Sequence, residues 1–405
     1  MPHTKIGVPV ALNYELTLSD IFAITLFVLI IFFYKISDKN YYVYIGAFLI
    51  FIYSELLSIA NVKSFSFFVS DLIPYMFSLV VIFTTFKYFS LPNKLESLSR
   101  IFYILFITIL CTTIPVYYQV FTSIKPIAFY DLDEWRYTFL CQNPNQFGVF
   151  ILLYFFLITL IAIKYFPLRL KYVLVLCYFF IPVALYSGSK AVTLIFFLNL
   201  ILVNIVSFLK VNFKWRIVIA PMILFVLVIN YQQWIESIQS TTGQVDRALS
   251  IFEALNKKGT SGVKVGGDSG KTMDEAKELF KEYPITGVGL ANKPMYSQSK
   301  YEIHNTYLKI LAEAGIIGFI GFLCILFMPL FSLIGSRSDL IIKLTGLILF
   351  ILFAAMNWPH MLFRQRWVWF FMVMFYIIFR IDKNGNIEHS KLSFLNFKNR
   401  LSVKL

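Results

Sequence analysis

The chain has 405 residues, 59% of them hydrophobic, with 45 Phe, 24 Tyr and a formal net charge of +14. A soluble domain of this length could not bury that much apolar surface, so the composition excludes one. It predicts an all-α, polytopic membrane bundle, whose helices of roughly 20 residues cross about 30 Å of hydrocarbon.

In chain order, the first 18 residues lack a basic flank, an apolar run and a small-residue cleavage site, so no cleaved leader is expected. Apolar runs bounded by charges and by Pro, Gly or Asn then predict about eleven spans. They lie near 19–36, 41–60, 67–89, 101–121, 146–163, 172–187, 190–209, 216–234, 312–334, 340–357 and 366–380. This gives N-terminal transmembrane helices over 1–234, a large outer loop over 235–303, C-terminal transmembrane helices over 304–380 and a basic tail over 381–405. Cys111, Cys177 and Cys324 fall in spans and only Cys141 in a loop, which supports neither a disulfide framework nor a cysteine metal site.

Alternate loops differ in charge. One set holds Lys35 and Lys39, then Lys87, Lys94 and Arg100, then Lys164, Arg169 and Lys171, then Lys210, Lys214 and Arg216, then Arg337 and Lys343, then the tail from Arg380. These segments sum to about +14, and the other set is near neutral. The positive-inside rule places the basic set in the cytoplasm, with the N-terminus out and the C-terminus in. The net charge therefore orients the protein and calls for no nucleic acid. A half-inserted segment near 8–18 would flip only the N-terminus.

The outer loop is the sizeable polar region. Its stretch "KKGTSGVKVGGDSGKT" (257–272) resembles a phosphate-binding loop, but Val265 stands where the pattern needs glycine, and no strand precedes it. A helix is expected next, with Thr272 and Glu275 as a capping box. Met273, Ala276, Leu279, Phe280 and Tyr283 form its apolar stripe, which would cap a cavity or lie on the membrane.

"YEIHNTYLKILAEAGIIG" (301–318) places polar residues at the mouth of a span. His304 is expected in the first helical turn, where the positive end of the dipole disfavours imidazolium and so favours a general base. Asn305 would cap the helix or orient a hydroxyl. Glu313, one turn inside an apolar span, needs a partner, while Gly315 and Gly318 allow close helix approach. A zinc site would have only His304 and His360 on this face, without paired spacing. Arg136, Lys190, Arg247, Arg364 and Arg366 are outer-side cations that break the charge trend. Guanidinium groups contact phosphates in bidentate fashion, so as a group they suit a pyrophosphate. Taken singly, each could instead pair with lipid phosphates or with Asp131, Asp133, Glu134 or Asp246.

"PITGVGL" (284–290) followed by "HNTYLKILAEAGIIGFIGF" (304–322) resembles the signature of the bacterial O-antigen polymerase and O-antigen ligase superfamily. "QNPNQFG" (142–148), "SGSKAVTLIFF" (187–197) and "TTGQVDRALSIFEAL" (241–255) resemble further pieces of it in the same order. The resemblance covers roughly 140–335. It implies a glycosyltransferase, without metal or other cofactor, acting on undecaprenyl-pyrophosphate-linked oligosaccharide at the outer face of the inner membrane. It implies His304 as the base for an acceptor hydroxyl and Arg247 as a pyrophosphate ligand. Lys190 stands where the family has arginine, keeping the charge but not the bidentate fork. The expected partners are the lipid-linked donor, the bilayer and a chain-length regulator protein, with no nucleic acid. A polymerase is favoured over a ligase that delivers the glycan to lipid A–core. A lipid-linked-oligosaccharide transporter would show internal repeats and polar residues at mid-membrane, and none is evident.

Overall fold

A computed structural model describes residues 5–11, 14–17, 25, 41–90, 93–122, 137–139, 141, 144–187, 189–210, 267–297, 302–360, 362–382 and 385. The expected spans near 19–36 and 216–234, most of the glycine-rich stretch, and the tail beyond 385 lie outside these residues, as do Arg136 and Arg247.

The described residues form ten α-helices: α1 (Tyr41–Leu57), α2 (Phe65–Tyr88), α3 (Lys94–Thr122), α4 (Pro144–Tyr165), α5 (Leu170–Tyr186), α6 (Lys190–Lys210), α7 (Gly267–Glu282), α8 (Thr306–Gly335), α9 (Leu340–Met356) and α10 (Arg366–Arg380). All but α7 coincide with an expected span. Seven helical segments are long and apolar enough to cross a membrane, α1 when extended by the 3-10 turn to Asn61 and α5 when extended by the 3-10 turn from Pro167. α9 has 17 residues and α10 has 15, which at 1.5 Å per residue fall short of a full crossing. The segment near 8–18 is not a half-inserted helix. Lys5–Ala11 and Tyr14–Thr17 form a two-stranded antiparallel hairpin with Pro9 opposite Glu15.

The chain divides into two compact units. One contains Leu98–Lys264. Its centre is α4, buried on every side because almost every residue from Phe147 to Lys164 is apolar. The Phe155 ring meets Phe180 of α5 edge-on at 5.2 Å and Phe196 of α6 at 5.9 Å. Thr193 donates to the Ala184 carbonyl at 3.2 Å, joining α6 to α5. Buried Tyr137 is held twice, donating its amide to Tyr186 O and its hydroxyl to Thr112 O.

The other unit contains Lys5–Ser97 and Val265–Leu405. α1 packs tightly on α8, where a Cβ on Gly321 would lie 2.9 Å from Phe51 N. Small residues permit this approach between membrane helices. α10 lies against both, through Phe48 on Trp369 at 5.1 Å and Ser332 donating to Tyr376 O at 2.9 Å.

Candidate active site

α8 is not one continuous helix. At Gly315 the backbone turns to φ 63° and ψ −165°. In an unbroken helix Ala312 O and Glu313 O would accept from the Ile316 and Ile317 amides. Here the "PITGVGL" segment takes over all four groups. Val288 N donates to Ala312 O at 3.0 Å and Gly289 N to Glu313 O at 2.9 Å. Ile316 N donates to Pro284 O at 2.9 Å and Ile317 N to Ile285 O at 3.5 Å. Such an exchange leaves no buried backbone group unpaired, which hydrocarbon requires. It also explains the glycines. Gly287 and Gly315 both have positive φ, and a Cβ on either would strike the opposing carbonyl, Glu313 O or Ile285 O.

The same segment is tied to the turn between α1 and α2. Asn61 Nδ2 donates to Gly287 O at 2.8 Å, and Asn292 Oδ1 accepts from Ser64 N at 2.8 Å. α7 covers it with its apolar stripe, burying Ala276 and Leu279 with Val288, Ile303 and Ala312. The helix starts at Gly267, so Thr272 lies within it and is not its cap. Glu275 instead pairs with Lys293, whose side chain is buried.

At the head of α8, Asn305 is the N-cap and accepts from Leu308 N at 2.9 Å. Residues 360–364 run alongside. Thr306 Oγ1 donates to His360 O at 2.7 Å and accepts from Leu362 N at 3.0 Å. Arg364 Nη1 lies 3.5 Å from Glu302. His304, between Glu302 and Thr306, is therefore at the same helix mouth as Arg364. It is exposed, and it precedes the cap instead of sitting in the first turn, because Asn305 closes the helix end. Arg366 is the first residue of α10, with its guanidinium 5.1 Å from the Phe77 ring.

Beneath this mouth lies a buried charge cluster. Asp71 Oδ1 meets Arg364 Nε at 2.8 Å, and its Oδ2 lies 3.6 Å from Lys309 Nζ. Lys309 also pairs with Glu313, one turn on, at 3.6 Å. That is the partner Glu313 needs. Arg364 pairs with Asp71 and Glu302, and the acids expected from sequence, Asp131, Asp133, Glu134 and Asp246, lie outside the described residues. The Asp71 carboxylate raises the Arg364 guanidinium above its ordinary value, against burial, which lowers it. Glu55, fully buried on α1, sits near the Leu290 amide without a well-formed hydrogen bond.

Of the expected site residues, His304, Asn305, Arg364 and Arg366 belong to this unit and cluster at the mouths of α8 and α10. Lys190 is the exposed first residue of α6 in the other unit. Sequence reasoning missed Asp71, Lys309, Glu55, Asn61 and Asn292. The rule that singled out Glu313, an ionisable group inside an apolar run, applies equally to Asp71 and Glu55.

These features define a multi-pass helical membrane protein with a polar, glycine-braced helix mouth. Residues 172–323 match the protein-family model described as O-antigen ligase. The expected resemblance to the O-antigen polymerase and ligase superfamily therefore holds over this segment, which includes His304, the "PITGVGL" loop and the break at Gly315, and it suggests chemistry of the glycosyl-transfer type. No curated protein matches the chain.

Proposed function

We propose that the protein is a polysaccharide polymerase. It joins undecaprenyl-pyrophosphate-linked oligosaccharide repeat units at the outer face of the inner membrane, by inverting glycosyl transfer without a metal. The observation that carries this reading is the placement of exposed His304 and Arg364 at one helix mouth, inside and beside the matched family segment. His304 takes the proton of the acceptor sugar hydroxyl as that oxygen attacks the anomeric carbon. The bond to the lipid pyrophosphate breaks, and Arg364 and Arg366 stabilise the charge that leaves. The loop charge asymmetry supports an outward-facing mouth.

A ligase that delivers the glycan to lipid A–core uses the same chemistry on a different acceptor, and the description of the matched family favours it. Deletion of the gene followed by gel analysis of surface glycan separates the two. Single-repeat products identify the polymerase, and undecorated core with accumulated lipid-linked polymer identifies the ligase. His304→Ala is expected to lower product formation by about three orders of magnitude or more, with normal protein in the membrane. Full-length glycan from that variant would remove His304 as the base.

A further inference from the structure

Asp71 has no task in the reaction just described, yet it has the most specific surroundings of any acid in its unit. It lies in the second turn of α2, and its side chain is 1% exposed. From there it holds two cations that arrive from two other segments. Arg364 reaches Oδ1 from the loop before α10, and Lys309 reaches Oδ2 from the first turn of α8. A buried carboxylate is costly unless paired, and one pairing would meet that need. The second makes Asp71 the joint between two elements that carry proposed site residues.

The geometry at Arg364 is informative. Asp71 Oδ1 faces Nε, the inner edge of the guanidinium, as an ion pair at 2.8 Å without a well-formed hydrogen bond. A guanidinium has five N–H donors, and an ion pair along the Nε edge leaves those on Nη1 and Nη2 for another oxyanion. The Arg364 side chain remains 32% exposed, and Nη1 lies 3.5 Å from Glu302, which is itself 48% exposed. That outer contact is long and solvated, so an entering anion can replace it with little loss.

We propose that Asp71 is a positioning residue. It clamps Arg364 by Nε so that the Nη edge faces the donor pyrophosphate, which takes the place of Glu302. Through Lys309 it ties that orientation to the helix headed by His304 and Asn305. Lys309 is in turn shared with Glu313, so a chain of alternating charges, Arg364, Asp71, Lys309, Glu313, runs from the donor-binding loop into the base-bearing helix. This inference rests on the glycosyl-transfer reading of the site.

The alternative is an ion pair that only stabilises the fold, and a double-mutant cycle on ligand binding separates the two. The full-length protein is placed in phosphatidylcholine nanodiscs, so that bilayer phosphates form a constant background, and titrated with farnesyl pyrophosphate. Asp71→Asn and Arg364→Gln are each expected to weaken binding about tenfold, and the double variant also about tenfold, because Asp71 acts through Arg364. A double variant weakened about a hundredfold overturns the positioning role and leaves the glycosyl-transfer reading standing. So does an Asp71→Asn protein that binds as the wild type does while its thermal midpoint falls. Should Asp71→Asn fail to accumulate, Asp71→Glu decides, since it keeps the charge and moves the carboxylate by one methylene. Weakened binding at an unchanged thermal midpoint supports the proposal, and unchanged binding overturns it. Wild-type protein that binds no farnesyl pyrophosphate, or an Arg364→Gln variant that binds it unimpaired, overturns both the inference and the reading beneath it.

Discussion

α4 runs for 22 residues with no interruption, and from Phe147 to Lys164 all its side chains but Tyr154 are buried. α8 is about as apolar by composition, but it breaks at Gly315 and carries Lys309 and Glu313 in its buried head. The middle of α4 is held mainly by apolar contact area, which is spread over many weak contacts. The head of α8 is held by directed bonds: four backbone hydrogen bonds to the 284–290 segment, a side-chain cap, and ion pairs to α2. Directed bonds hold a histidine and an arginine in register where dispersion contacts would let them slide. They also make the segment sensitive to single atoms.

Gly315→Ala attacks that contrast most directly. The new Cβ meets the Ile285 carbonyl, the positive φ becomes strained, and the four exchanged hydrogen bonds are disturbed together. At about 2 kcal/mol for the strain and about 1 kcal/mol for each hydrogen bond, the expected loss is about 6 kcal/mol. It would be read as the shift in an SDS unfolding titration. An unchanged midpoint would mean that the helix can close over the break, and that α8 is no different in kind from α4.

Lys309→Met comes next. Among the described residues it leaves Asp71 paired with Arg364 and Glu313 without its ion-pair partner, and losing one partner of a buried pair costs about 3–5 kcal/mol. Adding Glu313→Gln should restore part of that, because it removes the stranded charge. If the double variant is no more stable than the single, Lys309 serves by its packing, as the residues of α4 do.

On the α4 side, Gly148→Ala drives a Cβ into the Val192 side chain. The backbone there is ordinary helix and the obstacle is a side chain, so overpacking of about 1–3 kcal/mol is expected. A loss as large as that of Gly315→Ala would show that α4 is as finely specified as the helix mouth.

The contrast also explains what the sequence disclosed. Runs of apolar residues announce a span whatever it packs against, so every described span was legible, although the polar starts of α3 and α8 lie six or seven residues before the expected ones. The membrane span of α8 was read from 312 because Thr306 and Lys309 interrupt the apolar run before it, and the partners of Thr306, Lys309 and Glu313 were hidden. Their satisfaction comes from His360, Leu362 and Asp71, residues far away in the chain. The Lys309–Glu313 pair is one helical turn long, so a partner for Glu313 could be expected. Asp71 could not be assigned, because its two cations lie hundreds of residues away and nothing local names them. Thr272 was misread as a cap because T-x-x-E satisfies a local rule, while Glu275 is in fact engaged by Lys293 from beyond the helix.

Two helix caps give the smallest effect and the sharpest control. Asn305 caps α8 and Asp339 caps α9, each accepting from the amide three residues on. Replacing either with Ala should cost about 1 kcal/mol, measured by the same titration. The consequences for function should differ. Asn305 is buried and adjoins His304, so its loss lets the first turn fray and moves the base relative to Arg364, and glycan synthesis should fall about tenfold. Asp339 caps a helix end that carries none of the proposed site residues, so Asp339→Ala should leave synthesis unchanged. Equal loss from both would show that activity follows stability alone, and that the directed bonds at the mouth of α8 hold the fold without placing the chemistry.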